Sequence, residues 1–351
     1  MKQQQFHDIV TGRDKSVKAA VLRFLMLISS RFYLLCVNIR NLLYDWKVLR
    51  VENAGKPVIS IGNITAGGTG KSPTVISVCK YLTDKGLKTA VLTRGYKGTA
   101  QTADEPEMIA QRCRGTMVIV NKDRVAGAKK AIEKGADVLI ADDAFQHRRL
   151  GRDLDILCID ATEPFGYEMP LPAGLLREPL AQLRRAHAAV ITRGDQVPAY
   201  NLTRITSVLQ EYNPDICVAE SHHRPVEVVY ADGSNHDANA LKAAGVVIFC
   251  GIGNPESFKK TVEACGADIK AFEFFDDHHA YSAADLRRIA EKQSETGADI
   301  ILTTEKDWVK IARIAENPLP DKTSGYLKIE IEITEGKELL LGKIDEITGS
   351  K

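Results

Sequence analysis

Apolar residues fall into short runs along most of the chain: 57–61 (PVISI), 89–93 (TAVLT), 117–120 (MVIV), 137–141 (DVLIA), 155–160 (DILCID) and 188–192 (AAVIT). Continuous aliphatic runs of this length, broken by helical patterns, predict the buried strands of a mostly parallel sheet with helices on both faces. From 213 to 248 the pattern loosens. Short strands at 226–230 and 243–251 flank a turn-rich stretch there, the form of a hinge between lobes. Two further strands follow, one closed by FEFFDDHHAY (272–281) and one within DIILTTEKDW (299–308).

Residues 13–50 follow another pattern. They carry eight Lys or Arg against only Asp14 and Asp45, interleaved with long apolar side chains. At about 100° per residue, Arg23, Ser30, Arg31, Asn38 and Asn41 share one side of a helix and leave a broad Leu, Phe, Met, Ile and Val face. Arg23, Arg31 and Arg40 cut the apolar runs too short to span a bilayer, so the helix is expected to lie in a membrane interface, with Tyr44 and Trp46 near its end. A signal peptide is the competing reading, but no small-residue cleavage site follows. Packing on its own domain is the other, and the two are compatible.

The first core strand leads into ITAGGTGKS (64–72) and then a helical pattern. Glycines let backbone N–H groups turn inward on an anion, and the helix N-terminus adds partial positive charge. Lys71 can reach terminal phosphates, and the Ser72 hydroxyl can ligate magnesium. Thr65 stands where the general phosphate-loop pattern has its first glycine. The contacts expected of Thr65, Ala66, Gly67, Gly68, Thr69, Gly70, Lys71 and Ser72 are therefore those of a nucleotide site, against the plainer reading of a strand-to-helix turn.

Other strand ends carry chemistry too. DVLIA runs into Asp142 and Asp143, the expected magnesium partners of a phosphate-loop Ser. Gln146 and His147 follow within FQHRR, a cluster able to orient an anionic substrate. Arg94 and Tyr96 follow the second strand, and Arg124 follows the third, where open α/β sheets bind ligands. LPAGLLREP (171–179) has the proline and glycine spacing of a long shaped loop, a form that is often functional. Thr192 to Asp195 (TRGD) loosely resembles a guanine-reading element but lacks its Asn and Lys. His278 and His279 stand beside Asp276 and Asp277 without the spacing of a metal site, which favours an acid/base or phosphate-contacting role.

Composition narrows the classes. A 44% apolar, 26% charged chain with net charge +1 is an ordinary folded protein without a general nucleic-acid-binding surface. Seven scattered cysteines with no C-x-x-C pair point to a reducing compartment, without a disulfide framework or a zinc site.

The ordered set ISIGNITAGGTGKSPTV, LTRGYKG, ADEP, IADDAFQHRRL, LPAGLLREP, FCGIGNPESF, FFDDHHAYS and TTEKDWVKI resembles the lipid A 4'-kinase (tetraacyldisaccharide 4'-kinase) family over nearly the full length. Thr65 is itself a feature of that family. The resemblance implies an ATP- and Mg²⁺-dependent kinase at the cytoplasmic face of the bacterial inner membrane. Its substrate would be the 4'-hydroxyl of a tetraacyldisaccharide 1-phosphate, giving lipid IVA for lipopolysaccharide, with no obligate protein partner.

By the same resemblance Lys71 and Ser72 take the phosphate and magnesium positions, and Asp142 and Asp143 the acidic pair at the metal. Asp104 is the general base with His278 as its partner. Arg94, Tyr96, Arg124, Gln146, His147, Arg177 and Glu178 surround nucleotide and lipid head group. The expected organisation is an amphipathic membrane-associated helix (1–48), a P-loop kinase core (49–222), hinge strands (223–248) and a smaller second α/β lobe (249–351) closing over the active site. A P-loop GTPase or ATPase switch acting at the membrane, and a noncatalytic membrane scaffold, are the alternatives from other classes.

Overall fold

The computed structural model describes residues 3–95, 104–314 and 316–349, with the side chains of Gln3, Gln4 and Asp104 outside the description. The chain divides into two units: Met1–Arg94, Cys113–His222 and Ile333–Lys351 form the first, and Gly95–Arg112 with His223–Glu332 the second. Neither unit is one continuous stretch, unlike the expected 49–222 core and 249–351 lobe. The end of the chain returns to the first unit, and the 95–112 segment belongs to the second.

In the first unit, helices α1 (Gln3–Val10) and α2 (Val17–Asp45) precede β1 (Val58–Gly62) and α3 (Lys71–Asp84). Strands β2 (Thr89–Thr93), β3 (Met117–Val120), β4 (Val138–Asp142), β5 (Leu154–Asp160) and β6 (Ala188–Thr192) fall within a residue or two of the expected runs. They line up as β6-β5-β1-β4-β2-β3, all parallel, so β1 lies centrally between β4 and β5. Every residue of β1, β2, β4, β5 and β6 is buried, which explains their unbroken apolar runs. Helix α5 (Arg124–Glu133) supplies Val125, Ala128 and Ala131 to one cluster with Val58, Leu92 and Leu139. Helix α6 (Ala199–Tyr212) supplies Ile205 and Leu209 to another with Leu157, Ile159 and Ile191.

In the second unit, β9 (Gly245–Cys250) is fully buried between β10 (Asp268–Phe274) and β11 (Ile300–Thr304), parallel to both. Helix α4 (Asp104–Arg112) packs against α9 (Glu305–Ile311), where Arg112 pairs with Glu305 at 2.8 Å and Arg313 with Glu107. Helices α7 (Pro255–Ala264) and α8 (Ala283–Thr296) belong to this unit, with β8 (Asn235–Asp237) antiparallel to β7 (Cys217–Tyr230). The expected strand at 226–230 is only the C-terminal end of β7, and β12 (Ser324–Glu335) was not anticipated. Both strands begin in one unit and end in the other.

Helix α2 carries its arginines without a break, as the helical period predicts. It runs unbroken for 29 residues, about 43 Å, and is one helix among the described residues long and apolar enough by length and composition to cross a membrane. Arg23, Arg31 and Arg40 still divide its apolar residues into short runs, and the helix meets that measure by length and mean composition alone. Its buried positions are Ala19, Met26, Ser30, Val37 and Asn41, a single stripe at steps of seven and four. Outside that stripe Phe24, Leu25, Ile28, Phe32, Leu35 and Ile39 are 42 to 67% exposed. The inward stripe thus mixes apolar Ala19, Met26 and Val37 with polar Ser30 and Asn41, while several large apolar side chains face outward.

Candidate nucleotide-phosphate site

The loop from Asn63 to Gly70 leaves the C-terminal end of β1 and delivers Lys71 and Ser72 as the first residues of α3. Gly70 is required twice: its φ is +81°, and a Cβ there would come within 2.9 Å of the Thr192 methyl. Thr65 needs no such freedom. It forms an antiparallel bridge with Leu176, an extended conformation that suits a β-branched residue. On either side of the bridge, Ala66 N–H donates to Leu175 O at 2.7 Å and Arg177 N–H to Ile64 O at 2.8 Å. The LPAGLLREP loop is therefore a rail along the first half of the phosphate loop.

The second half is braced from β6. The Thr192 hydroxyl donates to Thr69 O at 3.1 Å, and Arg193 Nη1 donates to Gly68 O at 2.8 Å. The same nitrogen lies 2.5 Å from Asp160, the last residue of β5. The TRGD stretch that loosely resembles a guanine-reading element thus puts Thr192 and Arg193 against loop backbone. Its signal, a charged turn after a buried strand, was visible, but its use was not.

The acidic pair sits on the neighbouring strand. Asp142, 4% exposed, ends β4 in register with Ile61, and Asp143 follows with φ +49°. Gly62 makes room for this segment, because a Cβ there would lie 2.8 Å from Phe145 Cβ and 2.9 Å from its nitrogen. Arg177 Nη1 donates to both Asp143 oxygens at 2.8 and 3.0 Å, and Lys71 Nζ lies 3.5 Å away. Burial opposes ionisation of Asp143, but Lys71 and Arg177 outweigh it and hold the carboxyl below the ordinary carboxylate range.

Other expected residues take distinct places. Arg124, 4% exposed at the start of α5, donates to Asp142 O at 2.9 Å and to Asn121 O at 3.1 Å. Gln146 Nε2 donates to Asn63 O at 2.9 Å. His147 is half-buried with Nε2 buried and unpartnered among the described residues. Burial first, then Arg124 and Arg152, push its pKa below the ordinary 6.5. Arg94 is exposed at the end of β2, and Tyr96 lies outside the described residues.

Glu178 departs from the expected substrate contact. Its side chain has no exposed surface, and its oxygens are taken by Arg40, Asn41 and Arg185. Burial pushes the Arg185 guanidinium down to about 10 against the opposing pull of Glu178.

In the second unit, Asp104 opens α4 while its side chain lies outside the description. His278 has φ +62°, and its N–H donates to Gly251 O at 3.2 Å. Lys306 Nζ lies 3.3 Å from Glu105, 3.5 Å from Asp277 and 3.4 Å from His278 Nε2. One lysine of α9 thus gathers the residue after Asp104 and the DDHH segment. Nothing local in TTEKDWVKI marks Lys306 for this, because Glu105 and His278 lie elsewhere in the chain.

The donor set suits magnesium. A hydroxyl and two carboxylates are hard oxygen ligands, and Asp142 is buried at the end of β4, next to Ile61 of β1. Among the described residues no three His, Cys, Asp or Glu side chains form a closed cage, and magnesium bound through one or two carboxylates plus substrate phosphates needs none.

A glycine-rich loop into a helix with Lys and Ser at its start, and an acidic pair at the end of the adjacent parallel strand, define a P-loop nucleotide-binding protein. The family model of the tetraacyldisaccharide-1-P 4'-kinases (LpxK) matches residues 22–346. The tetraacyldisaccharide 4'-kinase of Syntrophus aciditrophicus is 37% identical over 347 residues, covering 92% of this chain and 91% of that protein. That of Chlorobaculum parvum is 36% identical over 357 residues, covering 93% and 96%. A crystal structure of Aquifex aeolicus LpxK in complex with ATP superposes with a TM-score of 0.70 at 30% identity, covering 93% of this chain and 99% of that one. The chain belongs to the tetraacyldisaccharide-1-P 4'-kinase family.

Proposed function

We propose that the chain transfers the γ-phosphate of ATP to the 4'-hydroxyl of a tetraacyldisaccharide 1-phosphate at the cytoplasmic face of the inner membrane. The observation that carries this is the Lys71, Asp143 and Arg177 cluster at the start of α3, with the buried Asp142 next to Asp143 in the chain. Phosphoryl transfer needs an in-line hydroxyl, stabilised equatorial charge and an acceptor for the proton. Lys71 and the loop amides bind the β- and γ-phosphates. Ser72, Asp142 and Asp143 would hold Mg²⁺, which when bound supplies charge neutralisation on the phosphate oxygens. Arg177 keeps Asp143 ionised and oriented. Arg124 fixes the end of β4 through Asp142 O, so it acts on the acidic pair from behind.

Asp104 takes the hydroxyl proton, with His278 as its partner. The matched motifs support this assignment, as does the Lys306 contact linking Glu105 to His278. Asp104→Ala is expected to lower kcat at least a hundredfold, the scale of general-base catalysis, while nucleotide affinity stays within a few fold. Equal losses in both would remove the base assignment. Arg94, Gln146 and His147 are assigned to the substrate's phosphate and sugar.

The apolar outer face of α2 supports peripheral or monotopic attachment to the membrane that contains the substrate. The testing experiment uses purified protein, labelled ATP, Mg²⁺ and the acylated disaccharide 1-phosphate in micelles, with GTP and no-lipid arms. Label on the disaccharide is the expected result. Hydrolysis without transfer, or preference for GTP, would replace this reading with that of a nucleotide switch.

A further inference from the structure

The side chains of Ser30, Tyr33, Arg40 and Asn41 on α2 make their hydrogen bonds outside the helix to the segment from Pro170 to Glu178. The Ser30 hydroxyl, 1% exposed, donates to Pro170 O and accepts from Ala173 N–H, both at 2.9 Å. Tyr33 donates to Arg177 O at 2.8 Å. Arg40 Nη2 and Asn41 Nδ2 donate to Glu178 Oε1 at 2.5 and 3.1 Å, and Arg185 takes the other oxygen. The opposite edge of this segment is the rail on Ile64, Thr65 and Ala66. From it Arg177 reaches Asp143, which faces Lys71. The segment is therefore fastened to α2 on one side and to the phosphate loop on the other.

Burying Ser30, Asn41 and a carboxylate costs desolvation that an aliphatic stripe would avoid. Such groups, fully paired, fix one register of the helix where apolar contacts tolerate several. A helix serving only as an anchor has no need of that register.

We propose that α2 is a strut for the phosphate site. Ser30, Tyr33, Arg40 and Asn41 are positioning residues that set Arg177, and through it the Asp143 and Lys71 pair. The seating of α2 on its own unit thereby sets nucleotide affinity. This rests on the reading of Lys71 as a nucleotide-phosphate ligand.

The test is nucleotide affinity of the full chain in detergent micelles without lipid substrate, by titration with Mg-ATP. Arg40→Ala is expected to weaken binding about three- to tenfold, the effect of a loosened charge-assisted contact, and Arg40→Lys to recover part of it. Tyr33→Phe removes one hydrogen bond without unpairing a charge and is expected to weaken binding about two- to threefold, so it decides the matter if Arg40→Ala folds poorly. Arg204→Ala loses an exposed ion pair with Glu168 and serves as the comparator, expected to leave affinity unchanged. Folded Arg40→Ala and Tyr33→Phe proteins with unaltered affinity, whatever their melting temperatures or vesicle binding, overturn the strut alone. Absence of nucleotide binding by the unaltered chain overturns the kinase reading and the strut together.

Discussion

Asp143 accepts from two cations at once, and this decides its charge. With Arg177 at 2.8 Å and Lys71 at 3.5 Å, the carboxyl is ionised far below neutral pH and is ready to serve as an oxygen ligand. His147 is the opposite case. Burial and two arginines depress its pKa, so the folded chain binds fewer protons there than the unfolded chain below the ordinary value of 6.5. Stability from this residue is intact above 6.5 and declines as pH falls below it. His147→Gln is expected to flatten that decline, so the stability gap between variant and parent, read by urea titration, shifts in favour of the variant from pH 7.5 to 5.5. A gap that stays constant over this range would refute the buried neutral imidazole. At this scale the sequence named Lys71, Ser72, Asp142 and Asp143 because their chemistry sits in consecutive letters at a strand end. It did not reveal that Glu178 is buried, since its partners Arg40 and Asn41 lie well over a hundred residues away.

At the scale of elements, α2 leaves large apolar side chains exposed along most of its length. Phe24 and Phe32 are 62 and 67% exposed. Burying such a side chain in an acyl boundary contributes about 1.5–3 kcal/mol. Phe24→Ser with Phe32→Ser is therefore expected to weaken sedimentation with anionic phospholipid vesicles at least tenfold. Undiminished vesicle binding would mean the apolar face has another use. The helical period in 17–45 exposed the amphipathic character, while the polar stripe's target was hidden because periodicity says nothing about what a face meets. Strand β12 was legible in principle: the KIEIEIT alternation at 328–334 carries the period of two of a half-exposed strand.

Over the whole molecule, the chain leaves the first unit and returns to it. Helix α10 (Lys337–Thr348) buries Leu340 and Ile344, and its Asp345 accepts at 2.8 Å from Tyr81 of α3, the helix that begins with Lys71, and at 2.6 Å from Lys85 just past that helix's end. Deleting 337–351 is expected to speed hydrogen exchange in α3 and β5, where α10 packs, and to leave β9 and α8 protected. Uniform acceleration in both units would deny them separate stability. The sequence by itself determined the buried strands, the phosphate loop, its lysine and serine, the acidic pair and, through eight ordered motifs, the family. All of these are local in the chain: a strand needs only its own apolar run, and a phosphate loop only its glycines and the helix that follows. Tertiary structure alone decided that TRGD braces the loop, that Glu178 is locked beneath α2, and that Lys306 joins Glu105 to His278. Each of those depends on groups distant in sequence, brought together by strand order and packing.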